Sequence, residues 1–382
     1  MTSLFAPAVK EKLKARVAID GPTGSGKTWT ALQWARILVG PDGPIGVIDT
    51  ENRSAAYYAP TPGQLAGAEP VERLNHWDPP YVFGHMPWLP PFDPIRLTQV
   101  IQAAGQELGE DGCLVIDSFS HFWEGEGGTL DLVDNAASRS YGGNRFAGWK
   151  EGTPAQRALL DAIIHAPCHV ICCMRSKMDW VLEEDDSGGR RTTKPKKVGL
   201  KPIQRDGVEY EFTVVADMDL EHRLTVTKSR CSLIADAVAT KGRSAEPAQL
   251  FASWLDSGVE RITVDQVKQI VEVVKLVPDE HDRAALRQAF ATKWGRSTDV
   301  TTDQYAEVMG WTKDAAARMG AILDQPEAPT EKPTLDQLRE QVAAIESNDG
   351  AGSTFGTTPE YEYGDEDPLF PEDEVVDGVT HG

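Results

Sequence analysis

Between Arg16 and about Thr240 the chain alternates short, β-branched apolar runs with longer stretches in which apolar residues recur every three or four positions. This alternation predicts strands separated by helices, and therefore an α/β fold: a mainly parallel sheet with helices on both faces. Strands are predicted at Arg16–Asp20, Ile45–Asp49, Tyr81–His85, Cys113–Asp117 and Cys168–Met174, followed by a pair at Phe212–Asp219 and Arg223–Thr227. Several are apolar at every position, as strands buried on both faces must be. Asp93-Pro94 caps a helix running to Leu108, and Thr153-Pro154 reads as the start of another that carries Leu159, Leu160, Ile163 and Ile164.

After Ser244 the pattern shortens. Thr263 with Gln266, and Thr301 with Gln304, read as capping boxes that open short helices, and Thr312 reads as the cap of a third containing Ala315–Leu323. The organisation expected is a core over 1–244, a small α-helical module over 245–323 and a tail over 324–382 that is acidic and largely disordered. A short helix is expected within the tail over Leu335–Ile345.

Charge sharpens this division. Of the formal net charge of −21, the segment from Pro326 to Gly382 contributes −13, through fifteen acidic residues against Lys332 and Arg339. The acidity is thus largely a property of the tail and leaves room for an anion-binding surface elsewhere. The five cysteines (Cys113, Cys168, Cys172, Cys173, Cys231) are odd in number and lack C-x-x-C spacing, so reduced core thiols in a cytoplasmic protein are expected. No run of eighteen apolar residues predicts a membrane span, and the first fourteen residues lack a signal-peptide pattern.

The chemistry begins at Gly21-Pro22-Thr23-Gly24-Ser25-Gly26-Lys27-Thr28, between a predicted strand and a helix over Trp29–Val39. This spacing fits a phosphate-binding loop. Backbone N–H groups surround the phosphates, Lys27 neutralises the outer oxygens, and the Thr28 hydroxyl is placed for Mg2+ at a helix N-terminus. ATP and Mg2+ are the expected ligands. A carboxylate ending an apolar strand should complete the metal site, and Asp117 in Val115-Ile116-Asp117-Ser118 supplies it. A group that polarises the attacking water should lie past the second strand, where Asp49 and Glu51 of Asp49-Thr50-Glu51-Asn52 compete for the role.

Taken in order, strand, phosphate loop, Ile48-Asp49-Thr50-Glu51, Val115-Ile116-Asp117-Ser118, Cys172-Cys173-Met174-Arg175 and a hairpin ending Val226-Thr227-Lys228-Ser229-Arg230 resemble the RecA-type ATPase core. More narrowly, the chain is similar to the phage-encoded, RecA-like single-strand annealing ATPases of the Sak type, often labelled AAA-family ATPases. The resemblance covers roughly Arg16–Ile234. It implies that Glu51 is the catalytic base, that Asp117 holds the metal, and that Arg175 senses the terminal phosphate where RecA has Gln. It also implies that Lys228 and Arg230 reach the phosphates of a neighbouring subunit, and hence a homo-oligomer, ring or filament.

Seven basic residues (Arg190, Arg191, Lys194, Lys196, Lys197, Lys201, Arg205) and no acidic one occupy Ser187–Arg205, a predicted basic loop able to follow the backbone of single-stranded DNA. His121–Lys150 is read as a second loop whose Phe122, Trp123, Arg139, Tyr141, Arg145, Phe146 and Trp149 either stack on unpaired bases or pack on the core. The Leu369-Phe370 pair in the tail resembles peptides that dock on single-strand-binding or replication proteins, against the plainer reading of a solubilising tail. The expected function is ATP-driven recombination on single-stranded DNA. A helicase or translocating motor, and a nucleotide-gated loader acting through the tail, are the alternatives.

Overall fold

The computed structural model describes residues 8–71, 73, 77–139, 145–185 and 192–321. The expected helix at 335–345, the tail and its Leu369-Phe370 pair, Tyr141, Arg190 and Arg191 lie outside the described residues. The described chain forms two compact units, one over residues 13–256 and one over 257–321 with residues 8–12.

The larger unit is built on β1 (Arg16–Gly21), β2 (Ile45–Asp49), β3 (Gly84–Pro87), β4 (Cys113–Asp117), β5 (His169–Asp185), β6 (Thr192–Pro202), β7 (Val214–Met218), β8 (Leu224–Ser229) and β9 (Val238–Ala239). The sheet runs β3-β2-β4-β5-β1-β7-β8-β9, with β1, β2, β3, β4, β5 and β7 parallel and β8 antiparallel to β7. Along each central strand successive side chains enter opposite apolar clusters. Val17, Ile19, Val115, Ile171 and Cys173 face one side, with Trp34 of α1 (Lys27–Val39). Ala18, Leu114, Ile116, Val170 and Cys172 face the other, with Leu97 and Ile101 of a helix over Pro94–Leu108. Burial on both faces is why these strands read as continuous apolar runs. All five cysteines are buried and unpaired, and burial pushes the thiols of Cys113, Cys168, Cys172 and Cys173 up.

The remaining helices of this unit are α2 (Pro62–Leu65), α3 (Pro94–Leu108), α4 (His121–Glu124), α5 (Thr129–Arg139), α6 (Arg145–His165) and α7 (Ala245–Asp256). Asp93 caps α3 as expected, its side chain accepting from the Ile95 N–H at 2.8 Å. Helix α7, which the sequence pattern groups with the C-terminal module, packs Phe251 and Leu255 into the cluster beneath α1. The segment from His121 to Lys150 is not a loop, being largely α4, α5 and the start of α6. Pro154 does not start a helix; it lies inside α6. Tertiary packing overrides the stop signal there: Gly148 and Gly152, one turn apart, let α5 come so close that an added Cβ would meet Val133 at 2.1 and 2.3 Å.

Two strand boundaries also move. The strand expected at Tyr81–His85 pairs only over Gly84–Pro87, because Tyr81 is drawn inward, its N–H donating to Tyr58 O and its hydroxyl to Trp77 O. The strand expected to end at Met174 continues to Asp185 and pairs antiparallel with β6. Residues 192–202 of the predicted basic loop are therefore the second strand of a long two-stranded ribbon.

In the smaller unit, Thr263 and Gln266 make the capping box that opens α8 (Val264–Lys275). Helix α9 (Glu280–Trp294), capped by Asp279, has no counterpart in the sequence pattern. Only half of the second box forms, from Thr301 N–H to Gln304 Oε1, ahead of α10 (Tyr305–Arg318). Thr312 caps nothing: it lies inside α10 and its hydroxyl donates to Val308 O at 2.8 Å. Ile270, Val274, Leu286, Phe290 and Val308 form the apolar centre of this unit. Among the described residues no helix is long and apolar enough to cross a membrane.

Candidate nucleotide site

The loop after β1 turns at Gly21, whose φ of 155° carries no side chain: a Cβ there would meet Met218 O at 2.5 Å. Gly26 caps α1 in the left-handed conformation, so that Lys27 and Thr28 form the first turn of the helix. Lys27 is nearly buried, and its Nζ donates to the carbonyls of Gly21 and Pro22 at 2.8 and 2.9 Å. The cation thus arches back over the loop that it would share with a phosphate. The hairpin between β7 and β8 supports the loop from the other side, with His222 Nδ1 donating to Ser25 O at 3.0 Å.

Asp117 ends β4, one strand removed from β1, because β5 runs between them. It still reaches the loop: the Thr28 hydroxyl donates to its Oδ2 at 2.5 Å. Burial, with the charge of Glu51 adding to it against the Thr28 hydrogen bond and Lys27, raises the Asp117 carboxyl to about 6. A buried carboxylate oxygen touching a hydroxyl at the head of a helix is a hard-oxygen pair that fits Mg2+. Among the described residues no group of three or more His, Cys, Asp or Glu side chains is placed to hold a metal by itself.

Glu51 follows β2 and meets Arg175 in a two-point ion pair, Nε to Oε1 and a terminal guanidinium nitrogen to Oε2, each at 2.8 Å. Burial alone would raise this carboxyl, but the hydrogen bonds and charge of Arg175 outweigh it and hold Glu51 below its usual range. Asp49, the rival for the base, is fully buried, and its two oxygens accept from the N–H groups of Glu51 and Ala55 and from His85. Its lone pairs face backbone and imidazole rather than the phosphate loop. Thr50 binds the two halves of the site together: its hydroxyl accepts from the Ser118 N–H at 2.7 Å and meets His121 Nδ1 at 2.6 Å. His121 stacks on Phe92 with centroids 4.8 Å apart, and burial together with Arg175 pulls its pKa down. Asp49's structural part, His85, His121 and His222 carry no sequence signal, since each acts through a fold contact rather than a motif.

Arg175 also marks a mechanical boundary. Its register partner on β1 is Gly21, the last pair of that ladder, and the ribbon pairing with β6 begins at the next residue, Ser176 with Pro202. The Arg175 N–H donates to Ser120 Oγ and its carbonyl accepts from Ile203 N–H. The ribbon register sets Lys194 opposite Glu183, whereas Lys196, Lys197 and Lys201 stand opposite Val181, Trp180 and Lys177. Basic character therefore concentrates in the half nearest the core. Lys201 pairs with Asp206 at 2.8 Å, and the Arg205 guanidinium lies 5.9 Å over the Trp149 ring. Of the aromatic residues of 121–150, Phe122 is fully buried and Trp123 packs against Trp149, while Phe146 is exposed.

Lys228 and Arg230 are not brought to the phosphate loop of their own chain. The β7–β8 ladder places Asp217, beside Asp20, opposite Thr225, and puts Lys228 at the other end of the hairpin opposite Val215. There the Lys228 Nζ donates to the carbonyls of Glu209, Tyr210 and Phe212, while Arg230 is exposed.

No curated protein matches the chain. Residues 13–244 match a family model described as an AAA domain.

Proposed function

The chain belongs to the AAA domain family of nucleotide-binding ATPases, and from that premise we propose that it is a magnesium-dependent ATPase whose turnover is coupled to single-stranded DNA, in annealing or strand exchange. Arg175 carries this reading. One side chain grips the candidate base, and the basic ribbon begins at the very next residue, so that a ligand on the ribbon and the state of Glu51 share a joint.

In the proposed reaction Glu51 accepts a proton from the water that attacks the terminal phosphorus; the bond to the bridging oxygen breaks, leaving ADP and inorganic phosphate. Lys27 leaves the two loop carbonyls to neutralise phosphate oxygens, and the loop N–H groups hold the remainder. Thr28 and Asp117 would hold Mg2+, which neutralises phosphate charge when bound. Lys228 and Arg230, far from their own loop, suit a role at the site of a neighbouring copy in a homo-oligomer. Lys196, Lys197 and Lys201, with Lys177 opposite, would follow the DNA backbone. The acidic tail would recruit a single-strand-binding or replication protein.

The test is ATP turnover with and without single-stranded DNA across a salt series, beside Lys27→Ala and a variant with Lys177, Lys196, Lys197 and Lys201 changed to Ala. DNA stimulation that weakens with salt, is lost in the ribbon variant and vanishes with all turnover in Lys27→Ala supports the reading. Turnover indifferent to DNA leaves an ATPase without the recombination role. Strong duplex unwinding identifies a helicase.

A further inference from the structure

Three residues past β2 the backbone does something costly. Asn52 and Arg53 both adopt left-handed conformations, with φ of 55° and 63°. Asn tolerates this region through its short polar side chain, but for Arg it is strained, and two in succession persist only where surrounding contacts over-determine them. Beside the turn's own backbone bonds and the Arg175 pair at Glu51, two of those contacts come from one buried carboxylate. Asp49 Oδ1 accepts from the Glu51 N–H at 2.8 Å and Oδ2 from the Ala55 N–H at 2.9 Å, so the segment between them is wound around Asp49. The third donor comes from a different strand: His85 Nε2 on the edge strand β3 reaches Oδ2 at 3.1 Å. The imidazole is itself set edge-on against Phe83, with centroids 6.2 Å apart at 82°.

We propose that Asp49 and His85 are positioning residues for Glu51: His85 fixes the rotation of the Asp49 carboxylate, and Asp49 fixes the strained turn that aims Glu51. This rests on the reading of Glu51 as the base. His85 is remote from the phosphate loop in chain order and makes no contact with Lys27 or Thr28. Loss of its N–H therefore leaves Asp49 Oδ2 with Ala55 alone and the turn free to relax, while the phosphate loop keeps its own supports in β1 and α1. A misaimed base costs turnover rather than affinity.

The test uses two substitutions of similar chemistry. In His85→Gln the side-chain amide nitrogen occupies about the place of Nε2 and can still donate to Asp49; in His85→Asn the shorter amide cannot reach it. Steady-state kcat and KM, binding of a fluorescent ATP analogue and a thermal melt are measured for both, beside Asp49→Asn and Glu51→Gln. The expected result is a fall in kcat of about 10-fold or more for His85→Asn and Asp49→Asn, with KM and analogue affinity within about two-fold of wild type and most of kcat retained in His85→Gln. Equal kcat in His85→Asn and His85→Gln, or a loss confined to nucleotide affinity, overturns the positioning role, while loss of turnover in Glu51→Gln leaves the base assignment standing. Wild-type turnover in Glu51→Gln overturns the base assignment, and this proposal with it.

Discussion

The Thr28 hydroxyl donates to Asp117 Oδ2 at 2.5 Å, across the strand that separates the phosphate loop from β4. Two residues 89 positions apart are thereby held in contact. Thr28→Ala and Asp117→Asn should each reduce kcat by about 100-fold or more, since both remove an oxygen from the proposed metal site. Binding of a fluorescent ATP analogue in the presence of a chelator should survive, because the loop amides and Lys27 are untouched. Wild-type metal dependence in either variant would place the metal elsewhere.

Arg175 sets the proton affinity of Glu51. Its hydrogen bonds and charge hold that carboxyl below its usual range against the opposing effect of burial. With Arg175→Gln only burial and weaker charges remain, and the carboxyl rises. If Glu51 is the base as proposed, the acid limb of the kcat profile should move to higher pH in the variant, while the wild type keeps Glu51 ionised to lower pH. Profiles of the two proteins measured between pH 5 and 9 check the sign, and coincident acid limbs would mean that Arg175 does not govern Glu51.

Much of this site is legible in the sequence because its parts are local. The phosphate loop is eight consecutive residues, and Asp117 ends a run of four apolar ones, so both identify themselves without a fold. The environment of Glu51 is different in kind: Arg175 lies 124 positions away and His85 acts on Asp49 from a neighbouring strand, contacts that only the sheet order creates. The ribbon escapes notice for another reason. Its strands are joined by their own ladder and carry many charges and Pro195, so neither shows the apolar run by which the core strands declare themselves.

Arg16 offers a test of stability away from the site. Almost fully buried at the start of β1, it donates to the carbonyls of Ala15, Ile164, Ala166 and Cys168. It thus closes the C-terminal end of α6 and ties that helix to β1 and the start of β5. Arg16→Met fills the space but removes these donors from the carbonyls of Ile164, Ala166 and Cys168, while Ala15 O keeps the Val170 N–H; the loss should cost about 2–4 kcal/mol. Arg16→Lys cannot span them with a single ammonium group and should recover only part of the loss. Urea denaturation of the three proteins measures both, and an Arg16→Met midpoint equal to wild type would contradict the capping role.

Asp20 and Asp217 are register partners on β1 and β7, immediately before the phosphate loop. Ser176, the first residue of the ribbon, donates to Asp20 Oδ1 at 3.0 Å, and Thr227 donates to Asp217 Oδ1 at 3.2 Å. Burial, then the charge of Asp217, lifts the Asp20 carboxyl to about 7, and burial lifts Asp217 as well. In the unfolded chain Asp20 releases its proton near its ordinary value of 3.8. Between that value and about 7 the folded protein binds more protons than the unfolded one, so this group's contribution to stability falls as pH rises across that window and levels off above it. The slope for one such proton is at most about 1.4 kcal/mol per pH unit. Asp20→Asn keeps a donor for Asp217 and has no proton to lose, so it should flatten the pH dependence and be more stable than wild type at pH 8, measured by urea denaturation at pH 5, 6, 7 and 8. Parallel wild-type and variant curves over that range would show that Asp20 is ionised throughout and that no proton is held between the two strands.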